Sequence, residues 1–139
     1  MSTITLTPVD PEIPAHVGFL FGLLATREAH VNISHRRMPT YAEHVDFVRS
    51  RPYAAWYLIT NGENWCGTVY LTREQELGLH LLPAYQRAGH GKAAIKTLME
   101  CHPLPRYLAN IAPSNAASQA FFEGLGFKLV QHTYELSDD

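Results

Sequence analysis

The sequence predicts an α+β fold of about six to seven strands and four helices, in the order β-α-α-β-β-β-α-β-α-β. Three observations carry this reading. Short β-branched and aromatic runs alternate with stretches whose apolar residues recur at helical spacing. Asn61-Gly62-Glu63-Asn64 separates two such runs and marks a hairpin. An apolar strand, Leu77 to Leu82, runs through a two-glycine loop straight into a helix.

Ile4 to Val9 alternates as a first strand, with Leu6 facing the core. Glu12 to Glu28 reads as a helix started near Pro14, with Val17, Leu20 and Leu24 inward. Residues 29–39 have no clean period and read as a loop. Thr40-Tyr41-Ala42-Glu43 is a capping box opening a second helix, with Tyr41, Val45 and Val48 on one face. Tyr53 to Thr60 and Trp65 to Thr72 form the hairpin, and Glu76 to Leu82 the next strand. Lys92 to Cys101 is a helix with Ile95, Leu98 and Met99 inward, and Arg106 to Ala112 a strand. Ala116 to Leu125 is a helix stopped by Gly126, and Phe127 to Leu136 a final strand or bent pair.

Composition narrows the function classes. A chain of 139 residues, 46% of them apolar, is expected to be one domain over 1–139 with a sizeable core. Net charge is −2 and no Lys/Arg run occurs, which argues against nucleic-acid or membrane-surface partners. The apolar run Val17 to Ala25 is too short to span a bilayer, and no basic residue precedes it as in a signal peptide. Cys66 and Cys101 have neither metal spacing nor a disulfide framework around them. His30 and His35 do not make a helical ligand pair, so no metal site is expected. A reduced, cytoplasmic compartment is the default.

The segment Gln86-Arg87-Ala88-Gly89-His90-Gly91-Lys92 carries the most functional information. Gly89 and Gly91 can adopt angles closed to other residues and let a ligand near the main chain. The helix that follows points its first unpaired N–H groups back into the loop with partial positive charge. Together these make an anion cradle suited to phosphate or pyrophosphate. Gly89-x-Gly91-x-x-Ala94 formally fits a dinucleotide fingerprint, but too little chain follows for the remaining βα units. Lys92 is followed by Ala93, not Ser or Thr, which excludes a phosphate loop of nucleotide hydrolases.

A second segment, Pro113-Ser-Asn-Ala-Ala-Ser-Gln-Ala-Phe-Phe-Glu-Gly-Leu-Gly-Phe127, lies about 25 residues downstream. With the Gln-Arg-x-Gly-x-Gly loop it resembles the GNAT superfamily of acetyl-CoA-dependent N-acetyltransferases. Asn115, Ser118, Phe121, Gly126 and Phe127 fall on that family's Asn-x-x-Ser-x-x-Phe-Tyr-x-x-x-Gly-Phe pattern. The resemblance implies a mixed, twisted sheet with helices on both faces, an α/β sandwich. It implies that Gln86, Arg87, Ala88, Gly89, His90, Gly91 and Lys92 hold the CoA pyrophosphate. It further implies that main-chain groups of Leu79, His80 and Leu81 pair with the pantetheine arm and polarise the thioester. One such donor contributes about 3–4 kcal/mol to an oxyanion; charge-assisted bonds to phosphate contribute about 1.5–3 kcal/mol each. Asn115, Ser118, Phe121 and Phe122 would flank the pantetheine, and Asn115 is equally a helix N-cap. Arg87 and Lys92 are either phosphate contacts or solvated loop cations.

The acceptor implied is an amine, with no metal required. An alkyl ammonium of ordinary pKa about 10.4 is neutral in about one molecule in 2,500 at pH 7, a deficit of about 4.6 kcal/mol. A base is therefore expected. The chain departs from the family pattern at Phe122, where many members carry a tyrosine acid. It departs again at Asn110, where protein N-terminal acetyltransferases carry a glutamate. Glu76 becomes the leading base and His80, two alternations along the same strand face, the second. The thiolate, of ordinary pKa about 8.5, leaves unaided or takes a proton from Tyr134 or water.

In this superfamily the region between the first two helices lines the acceptor pocket, and here it holds His35, Arg36 and Arg37. Adjacent arginines suit a carboxylate or phosphate through forked hydrogen bonds; an exposed polar loop is the alternative. The acceptor expected is a small-molecule amine, and the chain also resembles small acetyltransferases of nucleotide-linked amino sugars. Protein N-termini are less favoured, because Asn110 and Phe122 break that pattern. A non-catalytic acyl-CoA sensor on the same fold is the rival, supported by the missing tyrosine. The chain is expected to be a monomer or homodimer.

Overall fold

The computed structural model describes residues 4–26 and 38–138. Five strands form one sheet in the order β1-β2-β3-β4-β5, namely β1 (Ile4–Pro8), β2 (Ala55–Asn61), β3 (Asn64–Leu71), β4 (Glu76–Leu81) and β5 (Leu108–Ala109). The first four run antiparallel to their neighbours, and β5 pairs parallel to β4. Four helices complete it: α1 (Pro14–Ala25), α2 (Tyr41–Arg49), α3 (His90–Cys101) and α4 (Ala116–Gly124). Gly62-Glu63 closes the β2–β3 hairpin beside the Asn61↔Asn64 pair.

Side chains alternate across the sheet, so each face recruits its own helices. Ile59, Val69, Leu71 and Leu77 face α3 and α4, packing with Ile95, Leu98 and Phe122. Leu58 faces α1 and α2 and packs with Val17, Leu20 and Val48. The expected arrangement of helices on both faces is observed. A bulge at Ile59/Thr60 leaves Cys66 without a partner across the ladder, and its buried Sγ donates to the Ile59 carbonyl at 3.3 Å. Cys66 is part of the buried core, and burial pushes its thiol pKa upward, which disfavours the thiolate.

The capping box of α2 is complete. Thr40 Oγ1 accepts from the Glu43 N–H at 3.1 Å and the Thr40 N–H donates to Glu43 Oε1 at 2.8 Å. Three elements differ from expectation. α1 buries Val17, Leu20 and Leu23 with His16, not Leu24, because the sheet meets it one residue around the helix. α2 buries His44 and Val48, while Tyr41 stays exposed. β5 pairs only at Glu76↔Leu108 and Leu77↔Ala109, and residues 127–138 form no strand among the described residues. No helix among the described residues is long and apolar enough to cross a membrane.

Candidate active site

The short pairing of β5 opens the sheet. Past Leu77↔Ala109 the two parallel strands part, and among the described residues the C-terminal half of β4 has no strand neighbour on that side. The Gln75 carbonyl accepts from Leu108 N at 2.8 Å, while the Glu76 carbonyl and the Leu82 N–H bond towards β3. Main-chain groups of successive residues in a strand point to opposite edges. Leu79 and Leu81 therefore aim their N–H and C=O groups at the parted side. His80 aims its own at β3, opposite Thr68, so its expected main-chain contact with a ligand in the opening is corrected. The Leu81 carbonyl already accepts from Gln86 Nε2 at 3.1 Å, which ties the loop to the strand and commits the Gln86 side chain.

Above the opening lies the glycine loop. A single 3₁₀ turn, Pro83–Tyr85, leads into exposed Gln86, Arg87, Ala88 and Gly89. Gly89 caps α3 in the left-handed region at φ +87°, and Arg87 is left-handed too at φ +63°. A non-glycine residue held there costs about 1–3 kcal/mol, a strain that concentrates at functional sites. The N–H groups of His90, Gly91 and Lys92 occupy the first helical turn, where the helix supplies no acceptor. The loop thus fits an anion by geometry as well as by composition. Gly91 has a different reason to be glycine. A Cβ there would sit 2.9 Å from Leu79 Cδ2 and 3.4 Å from Phe121, so its bareness lets α3 lie on β4. His90 turns inward, buried edge-on to Tyr85 with ring centroids 5.6 Å apart.

Across the opening, α4 begins at Asn115, whose Oδ1 accepts from Ser118 N at 3.1 Å. Phe121 is half-buried against Gly91; Phe122 is buried in the core, edge-on to both Phe121 and Phe127. Phe122 has no proton to give, and its ring serves packing.

On the α1/α2 face, Glu76 and His80 lie on the same side of β4, as alternation predicted, but they have different partners. Glu76 Oε2 accepts from Asn110 Nδ2 at 2.7 Å, and its Oε1 accepts from Thr72 Oγ1 at 3.3 Å. The sequence treats Asn110 as a missing base; the structure makes it the residue that holds the carboxylate. His80 Nε2 lies 3.3 Å from Thr26 Oγ1, at the end of α1. The Thr26 hydroxyl donates to the Leu23 carbonyl at 2.7 Å, which leaves its oxygen to accept from His80 in the tautomer that carries the proton on Nε2.

Between them lies Gly78, and over Gly78 lies the ring of Tyr70. A Cβ on Gly78 would collide with Tyr70 Cζ and Oη. Tyr70 pairs with Gly78 across the ladder and stacks on Tyr53 at 3.9 Å between centroids. Tyr70 is the lining residue that sequence reasoning missed. The register Tyr70↔Gly78 was its only signal, and that register is set by the turn from Thr72 to Gln75 between β3 and β4, not by any motif. His35, Arg36 and Arg37 lie outside the described residues. Among the described residues no cluster of His, Cys, Asp and Glu could hold a metal ion.

An open cavity of about 410 Å³ lies elsewhere, where Arg51, Tyr53, Trp56 and Arg73 meet. Arg73 spends its charge there on the Pro52 and Arg51 carbonyls, at 2.8 and 3.1 Å.

A family model for the acetyltransferase (GNAT) domain matches residues 4–128. The chain belongs to the GNAT acetyltransferase family, and it is an N-acetyltransferase of that family. Comparison with curated proteins finds no significant match. Among solved structures, an aminoglycoside N-acetyltransferase in complex with CoA is 13% identical, with 99% of this chain and 96% of that one covered and a TM-score of 0.70. A dodecameric spermidine N-acetyltransferase from Vibrio cholerae is 15% identical, covering 93% and 81%, with TM-score 0.71. An acetyltransferase from Salmonella typhimurium that modifies the N-terminal serine of a ribosomal protein is 21% identical, covering 88% and 78%, with TM-score 0.69. These likenesses show the shared fold.

Proposed function

We propose that the protein transfers the acetyl group of acetyl-CoA to the primary amine of a small molecule, with both substrates bound together. Bound acetyl-CoA supplies an acetyl group activated as a thioester. The observation that carries the reading is the opening of β4 away from β5 beneath a strained, amide-rich loop. The exposed main chain from Arg87 to Lys92 holds the pyrophosphate, and the Leu79 main chain pairs with the pantetheine arm. The Leu81 N–H adds a second donor on that edge. Asn115, Ser118 and Phe121 flank the arm from α4.

Glu76 takes a proton from the bound ammonium, the neutral amine attacks the thioester carbonyl, and the C–S bond breaks to release CoA thiolate, which takes a proton from water. Asn110 and Thr72 fix its carboxylate, and a carboxylate still has acceptor capacity beyond those two bonds. His80 positions the end of α1 through Thr26. Solved neighbours with aminoglycoside, polyamine and protein acceptors share the fold, so the fold does not choose among acceptors. A small molecule is supported by Arg36-Arg37, which suit an acceptor carrying carboxylate or phosphate, such as a nucleotide-linked amino sugar.

Glu76→Gln keeps size and hydrogen bonding but cannot accept a proton. Its kcat should fall by about 10²–10⁴-fold at neutral pH. Raising the pH should restore part of that loss, because more amine is neutral unaided. His80→Gln should lose less. A crippled His80→Gln beside a nearly normal Glu76→Gln would exchange the two roles.

A further inference from the structure

The cavity of about 410 Å³ includes Arg73, from the turn that leads into β4, in its wall. It therefore stands at the opposite end of that strand from the glycine loop. Tyr53, Trp56 and Tyr57 line it together with Arg51, Arg73 and His102. Among the described residues no Asp or Glu lines it, and its volume falls in the range of small-molecule sites, about 300–1,000 Å³.

The polar groups of the wall are held in place. Arg73 is fixed by the Pro52 and Arg51 carbonyls, and its two bonds tie down a turn in which Arg51 takes a left-handed φ of +50°. Strain of that kind persists only where the surroundings impose it. Among the described residues the Arg51 guanidinium itself has no acceptor. The Tyr57 hydroxyl and His102 Nε2 are 2.6 Å apart. Burial raises the Tyr57 pKa, with Cys101 adding to it, so the phenol keeps its proton and donates it to His102. The neutral imidazole then carries its own proton on Nδ1, as a second donor. Aromatic walls beside an arginine fork and an imidazole N–H suit one chemistry, a planar ring that bears a carboxylate or phosphate.

We propose that this cavity binds a small aromatic anion, its ring against Tyr53 and Trp56 and its carboxylate or phosphate on Arg51 and His102. The cavity also adjoins the proposed acceptor side. Tyr53 stacks on Tyr70 at 3.9 Å between centroids and 9° from parallel, and the tip of Tyr70 lies over Gly78, between Glu76 and His80. Arg73 follows Thr72, whose hydroxyl donates to Glu76. A ligand here shares a wall with the acceptor site, either as the far end of the acceptor itself or as a free effector of the same chemistry. This link rests on the amine binding at Glu76; the binding of the anion does not.

The Trp56 indole N–H donates to Thr68 Oγ1 at 2.8 Å and gives a reporter in the wall, assigned by its survival in Trp65→Phe. Heteronuclear NMR of the full chain, with neither acetyl-CoA nor amine present, is titrated with benzoate, phenylacetate and phenyl phosphate. Benzamide, phenylacetamide and phenol are the neutral counterparts. At least one anion should shift the Trp56 signal saturably and bind about tenfold tighter than its counterpart. Arg51→Gln should weaken that binding about tenfold at an unchanged melting temperature. No saturable shift with any anion, equal binding of the neutral molecules, or an Arg51→Gln variant that binds like the parent would each overturn the site. In the transfer assay, a bound anion that raises the amine KM marks the acceptor's own far end, and one that changes kcat at constant amine KM marks a free effector. An occupied cavity that changes neither would overturn the link through Tyr53.

Discussion

Gly89 and Gly91 stand two residues apart in one loop, yet what each excludes is different. Nothing lies within 4 Å of a Cβ built on Gly89, but its φ of +87° strains any side chain, a β-branched one most of all. At Gly91 the backbone is ordinary helix and the space is missing. Gly89→Val should cost CoA at least about tenfold in affinity, by shifting the loop amides, while the fold survives. Gly91→Ala should destabilise by about 1–3 kcal/mol, by forcing Leu79 and Phe121 aside. Calorimetry with CoA and thermal melts separate the two. A Gly89→Val variant that binds CoA like the parent would remove the loop from the pocket. At this scale the motif residues were legible in sequence because their chemistry is local. Tyr70 over Gly78, and Asn110 on Glu76, were not, since each depends on strand register between distant segments.

α1 and α2 are joined by a buried histidine. Its Nε2–H donates to the Val17 carbonyl at 3.2 Å, and its buried Nδ1 has no partner among the described residues. Burial lowers the His44 pKa below its ordinary value of 6.5, outweighing the bond to Val17. The folded state thus favours neutral His44 relative to the unfolded chain, which protonates it near the ordinary value. Its contribution is fully present above about pH 6.5 and is lost as pH falls through the lowered folded value. One group of this kind can add a slope of at most about 1.4 kcal/mol per pH unit. Urea unfolding between pH 7.5 and 5 should show a shallower decline for His44→Gln than for the parent. Equal slopes would mean that His44 does not carry this sensitivity. The capping box before α2 was readable because Thr40 and Glu43 act through neighbouring amides. Which face of each helix turns inward was less so: Leu23 displaces Leu24 and His44 displaces Tyr41, because the twisted sheet sets the rotation. The strand expected over Phe127 to Leu136 does not form among the described residues, because a strand-forming composition makes a strand only where a neighbour supplies the ladder.

Across the whole molecule, the two helix-covered faces divide the work. The α3/α4 face carries the anion loop and the larger core. The α1/α2 face presents Glu76, Tyr70 and His80, with the parted strands between the two. This division explains why fold and family were legible early while the acceptor was not. In the proposed reading CoA is recognised through main-chain geometry written in glycines, whereas the proposed acceptor site draws on side chains from several elements. The account's central claim is amine-dependent transfer through this site. It is tested most directly by following CoA release from acetyl-CoA with a panel of amines, including amino sugars, polyamines and peptides, for the parent and Glu76→Gln. Release should rise with one class of small amine and fall by about 10²-fold or more in Glu76→Gln at neutral pH. Tight acetyl-CoA binding with no amine-dependent release from any member would contradict it and leave an acyl-CoA-binding module.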